Sequence, residues 1–518
     1  MTYSHWAFLK RFFGEIHIGC KFLSVMKTCF IAFFLVFSVL FSACGENDPD
    51  SPTPQLSVTP LALDFSADGG STVISITSNT TWQISSDASW CTADKQTSKG
   101  DANVTITAKA NTLEEERTAS ITIVAENYIG STVSVTQEPK EADTTTTTDP
   151  DYIEPDNTNM RDMTSLELSQ LMGAGWNLGN TLEAIVVNGD NLSGGETSWG
   201  NPRASQQLID SVKAAGFNSV RIPVAWSHKL EDQTSYKIKL EWLQRVEEVV
   251  NYVLYNDMYA IINVHWDGGW SDHPDYAHQD EINEKLDALW RQIAVYFRDY
   301  DDHLLFAGTN EVHVEGDYGN PSSENVDVQN SFNQTFVDAV RATGGRNHYR
   351  HLVVQGYNTN IDHTVNHFVL PEDEIENRQF VEVHFYDPYD FTLQTDGNYH
   401  TQWGKDFVGG DVSTWGQEAW VDEAFGKMKS NFVDKGIPVI LGEYGANRRS
   451  SLNGGLEEHL AARAYYLEYV THAAVSNNMI PFYWDNGNDS NTTMAIFNRN
   501  TGEQTDKRAV QAIINGAK

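Results

Sequence analysis

The sequence predicts an α/β chain, a (β/α)8 barrel preceded by a small all-β, immunoglobulin-like sandwich. Three observations lead there. From about Met160 to Lys518, eight short apolar runs alternate with longer amphipathic segments, the order of a parallel sheet whose crossovers are helices. Ahead of residue 143 the runs are instead short, β-branched and alternating, and Gly, Asn, Asp or Ser clusters separate them. Between the two regions, residues 143–159 read DTTTTTDPDYIEPDNTN, an acidic Thr-rich linker with no basic residue.

Composition narrows the function before any motif is read. The 518 residues carry 35 Lys and Arg against 71 Asp and Glu, a formal net charge of −36, which repels phosphate backbones and excludes nucleic acid as a partner. Hydrophobic residues make up 40% and charged residues 20%, enough apolar surface for a large core.

The first 44 residues read as an export signal. From Met26, taken as the start of translation, one Lys precedes about 14 mostly apolar residues, and the small Ser42 and Ala43 precede Cys44. The run is shorter than the ~20 residues of a membrane-spanning helix. Phe-Ser-Ala-Cys resembles the lipobox of bacterial lipoproteins, which implies lipidation of Cys44. The acidic Gly-Glu-Asn-Asp-Pro-Asp that follows is similar to the surface-export signal of Bacteroides-type lipoproteins. Cell-surface anchoring at the outer membrane is the expectation. Cleavage removes Cys20 and Cys29 as well, so Cys91 alone remains, with no intramolecular disulfide and no thiolate zinc site.

After a polar tether over residues 45–54, residues 55–142 hold LSVTPLALDFS, STVISITS, TWQISS, ANVTITAKA, RTASITIVA and STVSVTQE, which predict a sandwich of seven or eight strands. Thr81-Trp82, Ser89-Trp90-Cys91 and Val135–Glu138 resemble the BACON domain. Trp82 and Trp90 are its candidate stacking platforms, but sandwich cores use Trp as well, and a spacer role is expected.

The barrel occupies residues 160–518. Its predicted strands are Ala174–Leu178, Ser219–Ala225, Ala260–His265, Leu304–Gly308, Leu352–Gly356, Phe380–Phe385, Pro438–Gly442 and Ile480–Trp484. Helical spacing of apolar residues marks Arg203–Ala215, Leu240–Tyr255, Glu284–Tyr300, Asn325–Ala342, Asp422–Lys435 and Glu457–Ser476 between them.

In such a barrel, chemistry sits where strands end, because only there do side chains from several strands meet on one open face. The strand ends supply Asn177 and Asn180, Arg221, His265-Trp266, Asn310-Glu311, His384-Phe385-Tyr386, Glu443-Tyr444 and Trp484-Asp485. Two carboxylates facing one mouth, ringed by Arg, His, Tyr and Trp, suit glycosidic-bond hydrolysis: one protonates the leaving oxygen with a raised pKa, and the other, ionised, attacks or stabilises the anomeric carbon. The fourth and seventh strands can hold the pair about 5 Å apart, the spacing of a retaining enzyme. Arg221 and Tyr386 are expected to keep Glu443 ionised, and Asn310 to bond the sugar 2-OH.

GWNLGNTLE at Gly175–Glu183, FNSVRIPVAW at Phe217–Trp226, INVHWDGGW at Ile262–Trp270, the Gly-Thr-Asn-Glu ending at Glu311, VEVHFYDPY at Val381–Tyr389, VILGEYGA at Val439–Ala446 and YWDNG at Tyr483–Gly487 together resemble glycoside hydrolase family 5, subfamily 4. The resemblance implies Glu311 as acid/base and Glu443 as nucleophile. It places Arg221, His265, Asn310, His384 and Tyr386 around the sugar at the cleaved bond and gives Trp484 as its stacking platform. Many relatives have His-His-Asp where this chain has His265-Trp266-Asp267, so the leaving-group side is expected to stack rather than hydrogen-bond.

Of the other tryptophans, Trp242 and Trp290 lie in amphipathic helices and are expected in the core, whereas Trp199, Trp266, Trp270, Trp403, Trp415 and Trp420 are expected around the active face. There is no HExxH and no Gly-rich phosphate loop, so neither a metal nor a cofactor is expected. The resemblance implies a monomeric retaining endo-β-1,4-glucanase acting on a β-glucan polysaccharide, xyloglucan first. Unbranched cellulose or mixed-linkage glucan is the alternative within the same chemistry, and a non-catalytic surface glycan-binding protein the alternative outside it.

Overall fold

A computed structural model describes residues 55–113, 115–125, 130–140, 150–189 and 191–518. The export signal, Cys44, the tether and residues 141–149, which include the first part of the linker, lie outside the described residues. The chain divides into two units, Met1–Thr146 and Thr147–Lys518.

The first unit is a sandwich of a four-stranded and a five-stranded sheet. Leu56–Thr59, Gly70–Ser78, Ala102–Ala108 and Cys91–Ala93 form one; Ala62–Phe65, Ser131–Gln137, Arg117–Ala125, Thr81–Ser86 and Thr97–Lys99 form the other. Nine strands exceed the seven or eight expected: LSVTPLALDFS is divided at Pro60, which lacks the N–H a ladder needs, its halves join different sheets, and the three-residue strands Cys91–Ala93 and Thr97–Lys99 lie outside the six runs. Alternation buries Ile74, Ile76, Val104, Ile106, Ile121, Ile123 and Val133 between the sheets. Trp82 lies in that core with its indole N–H on Gly100 O at 2.8 Å, and Arg117 stacks 4.3 Å over the Trp90 ring. Neither indole offers a free sugar platform. Buried Gln137 explains the closing Val-Thr-Gln: its amide donates to Ser66 O and Lys109 O, satisfying carbonyls where strands turn.

In the second unit eight parallel strands close into a barrel. They are β1 (Gly175–Leu178), β2 (Ser219–Ile222), β3 (Tyr259–Asn263), β4 (Leu304–Ala307), β5 (Leu352–Gln355), β6 (Gln379–Phe385), β7 (Val439–Tyr444) and β8 (Met479–Asp485), all within the predicted runs or one to two residues of them. Each is followed by a helix: α1 (Gln206–Ala215), α2 (Leu240–Leu254), α3 (Gln279–Tyr296), α4 (Ser323–Arg341), α5 (Ile361–His367), α6 (Glu418–Asn431), α7 (Leu456–Ser476) and α8 (Lys507–Gly516). The short α5 and the terminal α8 were not among the predicted helices. Side-chain caps fix several starts, as where Ser322 and Asn325 close a reciprocal box at α4 and Asp506 accepts from Ala509 N at α8.

Tyr259, Ile261, Leu305, Val353, Phe380, Ile440 and Phe482 fill the lower barrel with Leu168 and Met172 of the helix Ser165–Met172. Because side chains alternate along a strand, the inward residues above that apolar layer are polar: on β6 the inward row runs Phe380, Glu382, His384. The barrel unit starts earlier than the predicted linker boundary at residue 159. Ile153 pairs with Gly344, and Asp156 N donates to Gly345 O.

Candidate active site

Arg221, rising from β2 and wholly buried, organises the open end of the barrel. One terminal nitrogen donates to Glu443 Oε1 at 2.9 Å and Asn177 Oδ1 at 3.1 Å, and the other to Asn310 Oδ1 at 2.7 Å. Its Nε pairs with Glu382 Oε1 at 2.9 Å. The Asn310 carbonyl is thereby occupied, leaving its N–H groups for a sugar hydroxyl. Tyr386 OH donates to Glu443 Oε2 at 3.0 Å. His384 Nδ1 stands 2.6 Å from Glu311 Oε1 and 3.8 Å from Glu443 Oε2, and its Nε2 stands 3.3 Å from Glu382 Oε1.

A carboxylate oxygen of Glu311, one of Glu443 and a His384 ring nitrogen all lie within 4.8 Å of one another. Glu311 keeps 39% of its side chain exposed while Glu443 keeps 7%, so the first meets the cleft and the second stands at its floor.

A bulge puts Glu443 there. Along β6 and β7, Val383 pairs with Leu441 but His384 pairs with Glu443, so Gly442 is an extra residue. The slip turns Glu443 into the mouth. Gly442 has no room for a side chain, since a Cβ would lie 1.9 Å from Glu382 Oε1, and Asn177 Nδ2 satisfies its carbonyl at 2.9 Å.

Charge in the cluster departs from the expectation. Burial pushes Glu443 above the ordinary carboxylate value; His384 and Arg221 offset part of that, and Glu311 and Glu382 add to it. Burial would raise Glu311 too, but the bond and charge of His384, with Arg221 and His313, hold it below. Arg221 and Tyr386 do contact Glu443, yet they do not hold its pKa down, and the directions of the two glutamates are the reverse of those expected. His384 is raised to about 10: burial opposes its charge, but Glu443, Glu311 and Glu382 prevail. His265 is driven well below its ordinary value by burial, Arg221 and His384 and is neutral.

Trp484 lies parallel to His265, ring centres 5.8 Å apart and planes within 7°. Gly179 makes room for it, as a Cβ there would lie 2.8 Å from Trp484 Cζ2. Two cavities share Glu311 and Tyr318. One, of about 680 Å³, runs past Tyr386, Asn358 and Trp420. The other, of about 590 Å³, runs past His265, Trp266 and Asn310.

The glycosyl hydrolase family 5 cellulase family matches residues 180–490, 311 of the 518 residues. The chain belongs to glycosyl hydrolase family 5. A xyloglucan-specific endo-β-1,4-glucanase of Bacteroides ovatus is 45% identical over 498 residues, 95% of this chain and 97% of the relative. Endoglucanase A of Paenibacillus barcinonensis is 39% identical over 69% of this chain and 91% of its own. Among solved structures, a Bacteroides ovatus family 5 xyloglucanase in complex with a XXXG heptasaccharide superposes with TM-score 0.71 at 46% identity, covering 89% of this chain and all of that one. A broad-specificity endoglucanase of subfamily 4 from Bacteroides salanitronis gives 0.64 at 41%, covering 69% and 96%. The viral BACON domain family matches residues 55–140.

In this family 5 hydrolase the predicted residues Asn177, Arg221, Asn310, Glu311, His384, Tyr386 and Glu443 meet in one bonded cluster, with His265 and Trp484 stacked beside it. Trp266 is 42% exposed, its N–H held by Asp272 at 3.1 Å. Trp415 is 41% exposed and meets Trp420 edge-on. Trp242 and Trp290 are core, as expected. Trp403 is corrected: it is fully buried against Tyr465, Tyr466 and Tyr469, with its N–H on Gly416 O, because the loop after β6 folds back over α7. Trp270 is half-buried under Lys285 and bonds Asp267, so it too packs rather than presents a face.

Sequence reasoning missed Glu382. The available signal was a carboxylate two residues before His384 in an otherwise apolar strand, where alternation aims it inward.

Proposed function

We propose that this chain is a retaining endo-β-1,4-glucanase acting on xyloglucan, with Glu311 as acid/base and Glu443 as nucleophile. The observation that carries the reading is the approach of one oxygen from each carboxyl to within 4.8 Å in one mouth, which is compatible with the roughly 5 Å carboxyl separation of double displacement and too close for the wider separation of an inverting pair. Two carboxyls so close do not ionise independently, and one proton is shared between them. A glycosidic oxygen beside Glu311 accepts a hydrogen bond from that proton, which fixes it on Glu311 and leaves Glu443 ionised toward the anomeric carbon. Proton transfer to the leaving oxygen then accompanies attack by Glu443, and Glu311, now the base, takes a proton from the water that releases the glycosyl-enzyme. The free Asn310 N–H groups meet the 2-OH, and Trp484 stacks on the sugar face.

Xyloglucan is preferred because the Bacteroides ovatus relative of that specificity matches nearly the whole chain. Reducing ends released from tamarind xyloglucan, carboxymethyl cellulose and mixed-linkage glucan test the reading. Xyloglucan is expected to be cut fastest, with the β-anomer appearing first by proton NMR. Faster cutting of an unbranched glucan overturns the substrate, α-anomer overturns retention, and binding without release overturns the hydrolase.

The proposal extends to location. Ser42-Ala43-Cys44 and the acidic residues after it support a lipid-anchored protein of the outer-membrane surface. Replacing Cys44 with Ser is expected to move the protein from the membrane to the soluble fraction; unchanged partition would refute the anchor.

A further inference from the structure

Glu382 is among the most deeply buried ionisable groups of the barrel, on β6 and below the two glutamates of the proposed reaction. Its Oε1 faces Arg221 Nε at 2.9 Å and His384 Nε2 at 3.3 Å, and its Oε2 accepts from Gln355 Nε2 at 2.6 Å. Gln355 is itself aimed by Thr309, whose N–H and hydroxyl both donate to Gln355 Oε1. Gly442 presses on the same carboxylate from β7. Three strands besides its own fix this group in place, and it touches no part of the cleft.

We infer that Glu382 is a positioning residue that makes His384 a double donor, so that the proton Glu311 gives to the leaving group resides on the oxygen facing the cleft. An ionised carboxylate only accepts, so the His384 nitrogen facing Glu382 carries a hydrogen. When the other ring nitrogen also carries one, it donates to Glu311 Oε1 across 2.6 Å and fills that oxygen. The acidic proton is then confined to Oε2. Removing Glu382 takes away one of the three carboxylates that keep His384 charged; when the imidazole is neutral, its Nδ1 becomes an acceptor and draws the Glu311 proton onto Oε1, away from the glycosidic bond.

The charges around His384 agree. Glu311 from β4, Glu443 from β7 and Glu382 from its own strand face it, opposed by Arg221 from β2, with neutral His265 from β3 and Tyr386 nearby. Burial works against ionisation of Glu382, but Arg221, His384 and Gln355 hold its pKa down to about 2, so it stays an acceptor across the working pH range.

This inference rests on the hydrolase reading for its kinetic test but not for its spectroscopic one. Glu382→Gln keeps the volume and removes the charge. Its kcat/KM for 2,4-dinitrophenyl β-cellobioside, which leaves without protonation, is expected within about threefold of wild type; for the phenyl glycoside, which needs the acid, a loss of about 10²-fold is expected, the scale of general acid catalysis. The basic limb of the phenyl profile is expected to move toward base, because a less charged His384 holds Glu311 down less. In ¹⁵N-histidine-labelled protein near neutral pH, His384 is expected to show two protonated nitrogens in wild type and one in the variant. Equal loss on both glycosides with an unmoved basic limb, or an unchanged His384 signature, overturns the inference. If Glu382→Gln does not fold, Gln355→Met removes the Oε2 bond, together with the two bonds from Thr309, while keeping the Glu382 charge, and is expected to give the same selectivity in weaker form; equal effects on both glycosides overturn it there too. Wild type inert on both glycosides and on xyloglucan refutes the hydrolase reading, while the NMR signature still decides the state of His384.

Discussion

His384 Nδ1 and Glu311 Oε1, from β6 and β4, stand 2.6 Å apart. That contact joins the exposed carboxyl to a buried ladder of alternating charge, His384 to Glu382, Glu382 to Arg221, Arg221 to Glu443. The two glutamates of the proposed reaction are therefore linked through protein groups as well as across the cleft.

Stability follows the ladder with pH. The folded state raises His384 from 6.5 to about 10, so its contribution is complete below 6.5 and is lost as pH rises toward 10. The folded state lowers Glu382 from 4.5 to about 2, so its contribution is complete above 4.5 and is lost as pH falls toward 2. Thermal melts are expected to show a fall in stability between pH 6.5 and 10 that His384→Gln flattens, the difference not exceeding about 1.4 kcal/mol per pH unit for one proton. Parallel profiles for the two proteins would count against a cationic His384.

Glu443→Gln keeps an oxygen for the Arg221 donor at 2.9 Å while removing the nucleophile. Turnover of xyloglucan is expected to fall by at least about three orders of magnitude, with retardation in a polysaccharide affinity gel unchanged. Residual rates near wild type would contradict the assignment.

Trp266→Ala removes an exposed indole whose ring is braced by Asp272. A stacking contact of about 0.5–1.5 kcal/mol corresponds to a rise in KM of about 2- to 13-fold, with kcat nearly constant. A large fall in kcat with KM unmoved would place Trp266 at the reacting bond.

Trp82→Ala opens a hole in the sandwich core and is expected to cost about 3–5 kcal/mol in that unit, read as an early step in chemical unfolding. Isolated residues 55–142 are expected to run unretarded through a polysaccharide gel, since the Trp82 ring is enclosed and Trp90 lies under Arg117. Clear retardation would assign that unit a binding role.

The barrel was legible because each strand is a short apolar run ending in a distinctive polar residue, and local patterns of that kind need no partner to be recognised. Asn177, Arg221, His384 and Glu443 could be named from strand ends alone. Their charge states could not, because the burial that raises Glu443 and the bond that lowers Glu311 depend on what β2, β4, β6 and β7 bring together. Trp403 was misplaced for a related reason: its neighbours in the chain are polar, and only the return of its loop against Tyr465, Tyr466 and Tyr469 of α7 encloses it. The split at Pro60 into two sheets shifts the alternation from Leu56 and Val58 to Leu63 and Phe65, a change of phase that names no partner strand for either half.

Glu311 borders both cavities of the mouth rather than closing one end of a single tunnel. A long molecule can lie down across such a trough from the side and be severed near its midpoint, without its tip having to be found and threaded. The first few scissions then halve and quarter the average length, so the viscosity of a gum solution should collapse while hardly any sugar has been set free.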